Sequence, residues 1–333
     1  MAGLSLIELM ISITLGLMIL SGVAIVFVNT SQSRNEVERT SRQIENGRYA
    51  VELISDDLRL AGFYGELKTS SVTAPTGLPA DQCSLDATKW NEWIQLHVQG
   101  YDNGAGFDQT TTAACALTDL KSNTDILLIR RARACLAGIA GCDAVASEKP
   151  YVQVSLCASE VDTHRLGTAA DVTFNLTKKN CTASADKREY LVRIYYISTD
   201  NGSGQSIPTL KRLELAVVSG ALTWVTTPLV EGIEEFNVEY GIDSDNDGSP
   251  DSYVAAPAAT VADWTKVVAV QFFLLARNLE KSPDYTLSKT YNLGLGATPV
   301  VVADGYRRHV YQSLVRLNNP AGRLDVPTAA PSP

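Results

Sequence analysis

The sequence is poor in histidine and in concentrated positive charge. It contains only three histidines, which are far apart in the chain: His97, His164 and His309. This scarcity argues against a histidine-rich metalloenzyme. The 28 lysine and arginine residues are outnumbered by 37 aspartate and glutamate residues, which gives a formal net charge of -9. Because nucleic-acid binding usually requires a concentrated basic surface, the sequence predicts no nucleic-acid binding.

The sequence also lacks the short motifs that accompany catalysis. It has no G-x-S-x-G nucleophile elbow and no G-x-x-x-x-G-K-[ST] phosphate loop. Two glycine-rich sites, at residues 202–204 and 294–296, are interpreted as hairpin turns because no Rossmann spacing follows them. We therefore predict no catalytic residue, and an anchored periplasmic hydrolase is the least favoured function.

One long apolar segment, residues 4–28, carries a single formal charge, Glu8. At about 1.5 Å per residue it makes roughly 37 Å of helix, enough to cross a hydrocarbon core of about 30 Å. A plain signal anchor or a cleavable secretory signal is the alternative. Cleavage of that kind is disfavoured because no basic residue precedes the segment and no Ala-x-Ala follows it. A charge at this depth costs about 2.5–3.5 kcal/mol, so Glu8 should have a partner or a function.

Residues 29–62 are predicted to continue this helix with an amphipathic pattern. Two series recur at a spacing of seven, namely Val37, Ile44, Val51 and Leu58, and then Thr40, Gly47, Ile54 and Ala61. This spacing predicts a stripe packed on a globular head, with Glu38–Arg42 and Arg48–Glu52 as exposed i,i+4 ion pairs. An isolated coiled-coil dimer is the alternative, but the small residues of the second series disfavour it. The helix should end near Gly62.

Residues 63–319 are predicted to form a β-rich periplasmic head. Alternating or continuously apolar runs predict strands at residues 94–98, 126–129, 191–197, 213–217, 236–240, 267–275 and 311–317. The nearly all-apolar run at 267–275 should be a central strand. The predicted fold class is α+β, with one long helix packed on a mainly antiparallel sheet. Residues 320–333 are rich in proline and alanine and are expected to be disordered.

All six cysteines lie in one part of the head, residues 83–181: Cys83, Cys115, Cys135, Cys142, Cys157 and Cys181. A zinc site is the alternative to disulfides, but it needs closer ligand spacing than any pair here provides. We predict disulfides formed in an oxidising periplasm. Short loops suit local stapling of an insertion, so sequential pairing is favoured, although the sequence leaves the connectivity open.

The strongest chemical motif is an acidic loop at residues 243–251. It places Asp243, Asp245 and Asp247 at alternate positions, followed by a glycine, Ser249 and Asp251. Alternate aspartates direct carboxylate oxygens at one point, and the Ser249 carbonyl would be a further ligand, which is the coordination that Ca²⁺ prefers. The loop is therefore predicted to bind Ca²⁺, with a dissociation constant of roughly 10⁻⁴–10⁻³ M. A solvated acidic turn is the alternative.

The N-terminal residues Gly3-Leu4-Ser5-Leu6-Ile7-Glu8-Leu9-Met10 resemble the class III signal of type IV pilins and type II secretion pseudopilins. The resemblance implies that a prepilin peptidase removes residues 1–3 as a leader remnant by cleavage after Gly3. It also implies that the new N-terminus, Leu4, is methylated and that Glu8 is the fifth residue of the mature chain. Glu8 could then neutralise the terminal ammonium of its own or a neighbouring subunit in a low-dielectric filament core.

A second pair of segments, at residues 45–50 and 57–62, is similar to the PilW family of minor pilins. The matching residues are Glu45, Asn46, Gly47, Arg48, Asp57, Arg59 and Gly62. The resemblance implies a pilus subunit that sits in the inner membrane with a periplasmic head and is later extracellular at the pilus tip.

The same resemblance implies specific partners. These are other minor pilins, the major pilin, a tip adhesin, the inner-membrane assembly platform and membrane lipid. Together they would start pilus assembly and support adhesion, twitching motility or DNA uptake. A GspJ-like pseudopilin of type II secretion and a membrane-anchored extracellular binding module remain the alternatives.

Overall fold

The computed structural model describes residues 5–69, 72–108, 115, 117, 119–256, 260–283, 285–286, 288–295, 297 and 299–324. Its helices are α1 (Leu6–Arg59), α2 (Ala87–Glu92), α3 (Val261–Thr265) and α4 (Asn318–Leu324), with one short 3₁₀ helix at Asp102–Gly104. By length and composition, α1 is able to cross a membrane. The predicted single helix from the apolar segment into the amphipathic segment is therefore confirmed.

Helix α1 ends where the sequence predicts. The Leu60 N–H donates to the carbonyls of Asp57 and Leu58 and so closes the last turn. Gly62 then adopts φ of +70°, and a Cβ at this position would lie 2.7 Å from the His97 ring. Only glycine meets both conditions, because a side chain disfavours positive φ and has no room here.

The head contains thirteen strands in the described residues, and the pairings between these strands are antiparallel. They are β1 (Val98–Tyr101), β2 (Ile126–Ala132), β3 (Tyr151–Val154), β4 (His164–Gly167), β5 (Lys187–Ser198), β6 (Thr209–Val218), β7 (Ala221–Glu231), β8 (Ile233–Ile242), β9 (Ser252–Val254), β10 (Val267–Arg277), β11 (Lys289–Tyr291), β12 (Val300–Val302) and β13 (Arg308–Arg316).

These strands form two sheets and a small hairpin. The seven-stranded sheet has the order β1-β2-β5-β3-β4, and β6 joins it through β5 and carries β7. The four-stranded sheet has the order β13-β10-β8-β9, so the run at 267–275 is a central strand, as predicted. Strands β11 and β12 form the hairpin. The α+β class is confirmed, and its division into two sheets is a feature that the sequence pattern did not predict.

Most predicted strands are present, but the one at 94–98 is wrong. Residues 93–95 form a turn after α2, and β1 begins only at Val98. The apparent alternation arose because the turn sends Ile94 into one hydrophobic cluster and Leu96 into another. In a strand both would face the same side. The pattern also missed β3, β4, β7, β9, β11 and β12, five of which have only three or four residues.

Two hydrophobic clusters lie on opposite faces of the seven-stranded sheet. Leu127 and Ile129 of β2 contribute to the cluster that includes α1, β8 and β10. Ile126 and Leu128 contribute to the cluster that includes α2 and Trp224. This division follows from the period of two in a strand, and it explains why the run at 126–129 is apolar without alternation.

The buried face of α1 differs in part from the predicted stripe. The series Gly47, Ile54 and Ala61 is buried, as predicted. Val37 and Ile44 are exposed instead, and Gln43, Ala50 and Asp57 take the alternate positions of the buried face. The seven-residue spacing was correct, but two of the buried residues are polar and so escape a search for apolar residues.

The six cysteines pair in sequential order. The disulfides join Cys83 to Cys115, Cys135 to Cys142 and Cys157 to Cys181. The expected disorder at 320–333 is wrong for residues 320–324, which belong to α4 and bury Pro320 and Ala321. Residues 325–333 lie outside the described part of the chain.

Candidate functional sites on the long helix and the acidic loop

The predicted processing site, Gly3 and Leu4, lies outside the described residues. Glu8 is the third residue of α1, and its carboxylate accepts a hydrogen bond of 3.2 Å from the Ser5 N–H. The Ser5 hydroxyl in turn accepts from the Glu8 N–H at 3.3 Å. This is a capping box, which the S-x-x-E spacing of residues 5–8 could have revealed. It places Glu8 at the very start of the exposed apolar half of α1.

A buried ionic cluster joins the other half of α1 to the seven-stranded sheet. Asp57 Oδ1 accepts from Arg131 Nη2 at 2.7 Å and from Arg193 Nη1 at 2.7 Å. The Tyr195 hydroxyl donates to the other carboxylate oxygen. Strand alternation places Arg131 in phase with the apolar residues of β2 that face α1, and it does the same for Arg193 and Tyr195 on β5. We call these four residues the Asp57 cluster.

The Asp57 cluster keeps its carboxylate ionised. Burial raises the pKa of Asp57. Arg193, Arg131 and the Tyr195 hydroxyl together lower it by more than burial raises it, so the pKa lies below its ordinary value. Arg193 also contacts Glu214 at 2.9 Å, which extends the cluster along β6. The two guanidinium partners and the hydroxyl donor offset the free-energy cost of removing the carboxylate from water.

Further polar contacts fasten α1 to the four-stranded sheet and its surroundings. Gln43 Nε2 donates to the Ala276 carbonyl at 2.7 Å, and Asn46 Nδ2 donates to the Glu231 carbonyl at 3.0 Å. Gly47 faces the Tyr311 ring, where an added Cβ would lie 2.2 Å from a ring carbon. Close contact between helix and sheet therefore requires a residue without a side chain at this position.

The PilW-like residues of α1 and the turn after it thus divide by location. Asn46, Gly47, Asp57 and Gly62 contact the head, in the ways described above. The other three, Glu45, Arg48 and Arg59, are exposed. Arg59 forms a local ion pair with Asp56 at 2.6 Å. The structure therefore supplies a packing reason for the first group.

The acidic loop follows β8 and brings three of its aspartates together. Carboxylate oxygens of Asp243, Asp245 and Asp247 all lie within 4.8 Å of one another. Asp243 is buried, and its two oxygens accept from the backbone N–H groups of Asn246 at 2.6 Å and Gly248 at 2.8 Å. Gly248 has φ of +84°, which allows the tight turn.

Asp251, the predicted closing ligand, is directed elsewhere. Its Oδ2 accepts from the Ser244 N–H at 2.7 Å and from the Ser244 hydroxyl at 2.6 Å, so it is not part of the triad. The pKa of Asp245 is raised: the Asp247 N–H lowers it, but desolvation and the neighbouring carboxylates of Asp247, Asp251 and Asp243 outweigh that contact. Three oxygen donors near one point are a partial ligand set for a hard cation.

Comparison with known proteins shows similarity to pilus components. The family model described as type IV pilus-assembly protein W matches residues 194–319. No curated protein sequence matches the chain. A type IV-like pilin from Thermus thermophilus is similar at 16% identity over 60% of this chain and 80% of that one, with a TM-score of 0.26. The family match falls in the head, outside the residues 3–62 that carry the sequence resemblance, and it confirms that resemblance independently.

Proposed function

We propose that this chain, whose residues 194–319 match the PilW family of type IV pilus-assembly proteins, is a minor pilin. The proposal rests on this match together with the shape of α1. The first half of α1 is apolar and exposed, and its second half is packed on the head. A subunit of this shape has one part for the membrane or filament core and one part for contacts outside it.

The apolar half of α1 serves first as an anchor in the inner membrane and then as part of the filament core. None of the described residues of this half is buried, so it can exchange lipid for neighbouring helices without unfolding the head. Glu8 sets the register by pairing with a terminal ammonium, because an unpaired carboxylate in an apolar core is costly. The Asp57 cluster transmits the position of α1 to the head.

The partners that fit are other minor pilins, the major pilin and a tip adhesin, in a complex that initiates assembly. Support comes from the face of α1 beyond the membrane half, where Val37 and Tyr49 are 65% and 53% exposed. The head leaves these apolar side chains uncovered. Exposed apolar residues beside Glu45 and Arg48 suit a partner helix that is apolar with complementary charges.

Substitution of Glu8 tests the pilin role. Glu8→Gln should leave the protein in the inner membrane but reduce its incorporation into pili at least a hundredfold, because a terminal ammonium left unpaired in the filament core costs about 3–5 kcal/mol. The measurement is the ratio of sheared-pilus to membrane-bound protein in cells whose own copy is deleted. Glu38→Gln is the matched control, because Glu38 is exposed on the same helix and contacts only Arg42 at 3.8 Å.

Unchanged incorporation of the Glu8→Gln protein would refute the register role. Co-purification then distinguishes a type IV pilus subunit from a pseudopilin of type II secretion. Recovery with other minor pilins supports the proposal, whereas recovery only with pseudopilins would assign the chain to type II secretion.

We also propose that the acidic loop binds Ca²⁺ through Asp243, Asp245, Asp247 and the Ser249 carbonyl, with Asp251 as a further ligand after release from Ser244. Calorimetric titration of the full chain in detergent should give a dissociation constant of roughly 10⁻⁴–10⁻³ M. Asp245→Asn should abolish the heat of binding and the rise in melting temperature that Ca²⁺ produces. Asp186→Asn, an exposed change outside the loop, should keep both. Absence of a heat of Ca²⁺ binding in the wild-type protein would refute the proposal.

A further inference from the structure

A cavity of about 230 Å³ lies where α1 ends, at the end of the helix opposite to the membrane half. Seven of the residues that line it are polar or charged: Thr69, Gln95, His97, Asn246, Thr265, Lys266 and Arg323. We call this space the junction cavity, because α4, the turn before β1 and the acidic loop meet there. None of its lining residues is an aspartate or glutamate, although two are cationic.

Arg323 carries an uncompensated charge in the wall of the junction cavity. Its Nη2 donates to the Gly62 carbonyl at 2.7 Å, and its Nη1 donates to the Thr69 hydroxyl at 2.7 Å. These partners are neutral, and the described residues include no carboxylate within ion-pair distance. Burial lowers the pKa of Arg323, with Tyr64 acting in the opposite direction. A half-buried guanidinium without a carboxylate favours a site at which an anion can accompany it.

A second arginine, Arg130, lies next to His97 of the cavity wall. Arg130 is 1% exposed, and its Nη1 donates to the Leu96 carbonyl at 3.0 Å and to the Gln99 side chain. Its Nη2 has no hydrogen-bond partner within the described part of the chain. His97 lies between the two arginines. Burial, then Arg323 and then Arg130, lower its pKa to about 3, so His97 is neutral and the positive charge around it is concentrated on the arginines.

The acidic loop does not neutralise this charge. Asn246 lines the junction cavity, but the Asp243 carboxylate is directed at the N–H groups of its own loop. Lys266, which follows α3, contributes a further ammonium without an ion pair to any residue that the structure describes. The walls thus combine two cations with the neutral hydrogen-bonding groups of Thr69 and Gln95.

We propose that the junction cavity is an oxyanion-binding site that takes one carboxylate or phosphate group. Arg323 provides planar N–H donors and Lys266 a mobile ammonium, which together suit an oxyanion. The volume of about 230 Å³ has room for such a group. The site lies in the head at the end of α1 distant from the membrane, and its chemistry is independent of the pilin role.

The test is calorimetric titration of the full chain in detergent micelles at constant ionic strength, with inorganic phosphate in one series and acetate in another. Saturable binding of either anion supports the site, and the preferred anion identifies the source as a phosphate or a carboxylate. Arg323→Gln should weaken binding at least tenfold and Lys266→Gln about threefold, because charged hydrogen bonds are lost. Arg323→Lys should retain part of the affinity, which a purely structural role would not predict. Lys179→Gln, an exposed change elsewhere, should have no effect.

Absence of saturable binding for both anions would overturn the proposal, as would wild-type affinity in Lys266→Gln and Arg323→Gln together. If Arg323→Gln does not fold, as judged by circular dichroism, Lys266→Gln decides alone. Asp325→Asn controls for occupancy of the cavity by the chain's own carboxylate, because Asp325 follows Leu324 directly in the sequence. Binding seen only in Asp325→Asn would overturn the assignment to an external anion.

Discussion

Asp57→Asn is expected to destabilise the protein by about 3–5 kcal/mol. Removal of one member of a buried ionic cluster leaves its partners desolvated and unpaired, which is costlier than loss of the contact itself. Here Arg131 and Arg193 would both lose the carboxylate that lies 2.7 Å from each. The measurement is urea unfolding of the full chain in detergent, followed by tryptophan fluorescence.

The neighbouring residue provides a matched control for this prediction. Asp56 forms an exposed ion pair with Arg59, so Asp56→Asn should cost less than about 1 kcal/mol. The pKa of Asp57 is lowered on folding, so its stabilisation is present above the unfolded pKa and is lost as the pH falls through the folded pKa. Asp57→Asn should remove this acid-labile part. Equal stabilities for the Asp56 and Asp57 variants would contradict the stabilising role assigned to the Asp57 cluster.

Removal of the Cys83–Cys115 disulfide is expected to cost about 3–4 kcal/mol. The bond closes a loop with a sequence separation of 32 residues, and the chain-entropy estimate increases with loop length. Both cysteines are buried beside Trp224 in the cluster of the seven-stranded sheet, so the double substitution to alanine also leaves the space of two sulfurs unfilled. The measurement is the free energy of unfolding under non-reducing conditions.

The shorter disulfide serves as the comparison. Cys135 and Cys142 have a sequence separation of only seven residues, so their replacement should cost about 2–2.5 kcal/mol on the same estimate. The predicted order of the two effects is more informative than either value. If loss of Cys135–Cys142 destabilised the protein more than loss of Cys83–Cys115, the role assigned to loop length would be wrong.

The sequence predicted those parts of the fold that depend on local periodicity. The length of α1, its end near Gly62 and the central position of residues 267–275 all follow from spacing or composition over short distances, whereas the sequence only favoured the sequential disulfides among the possible pairings. The strand at 94–98 failed because alternation over five residues also arises in a turn between two cores. Strand β7 was missed because Pro228 and half-exposed threonines mark an edge strand, whose pattern is weak.

The functional residues divide in the same way. Glu8 and the triad of Asp243, Asp245 and Asp247 were identifiable from a charge in an apolar segment and from alternate aspartates. The Asp57 cluster was not, since its members are separated by up to 138 residues in the chain. The cations of the junction cavity were also not identifiable, because Lys266 and Arg323 come from distant segments.

The sequence by itself therefore determined that this protein has an apolar helix of membrane length, a β-rich head and segments that resemble those of pilus subunits. Those properties are encoded by neighbouring residues, since helix and strand periods are local. The tertiary structure alone decided which face of α1 is buried, that Asp57 joins the helix to two strands, and that Asp251 is held away from the aspartate triad. Such outcomes depend on charges and cavities that form only when distant segments pack together.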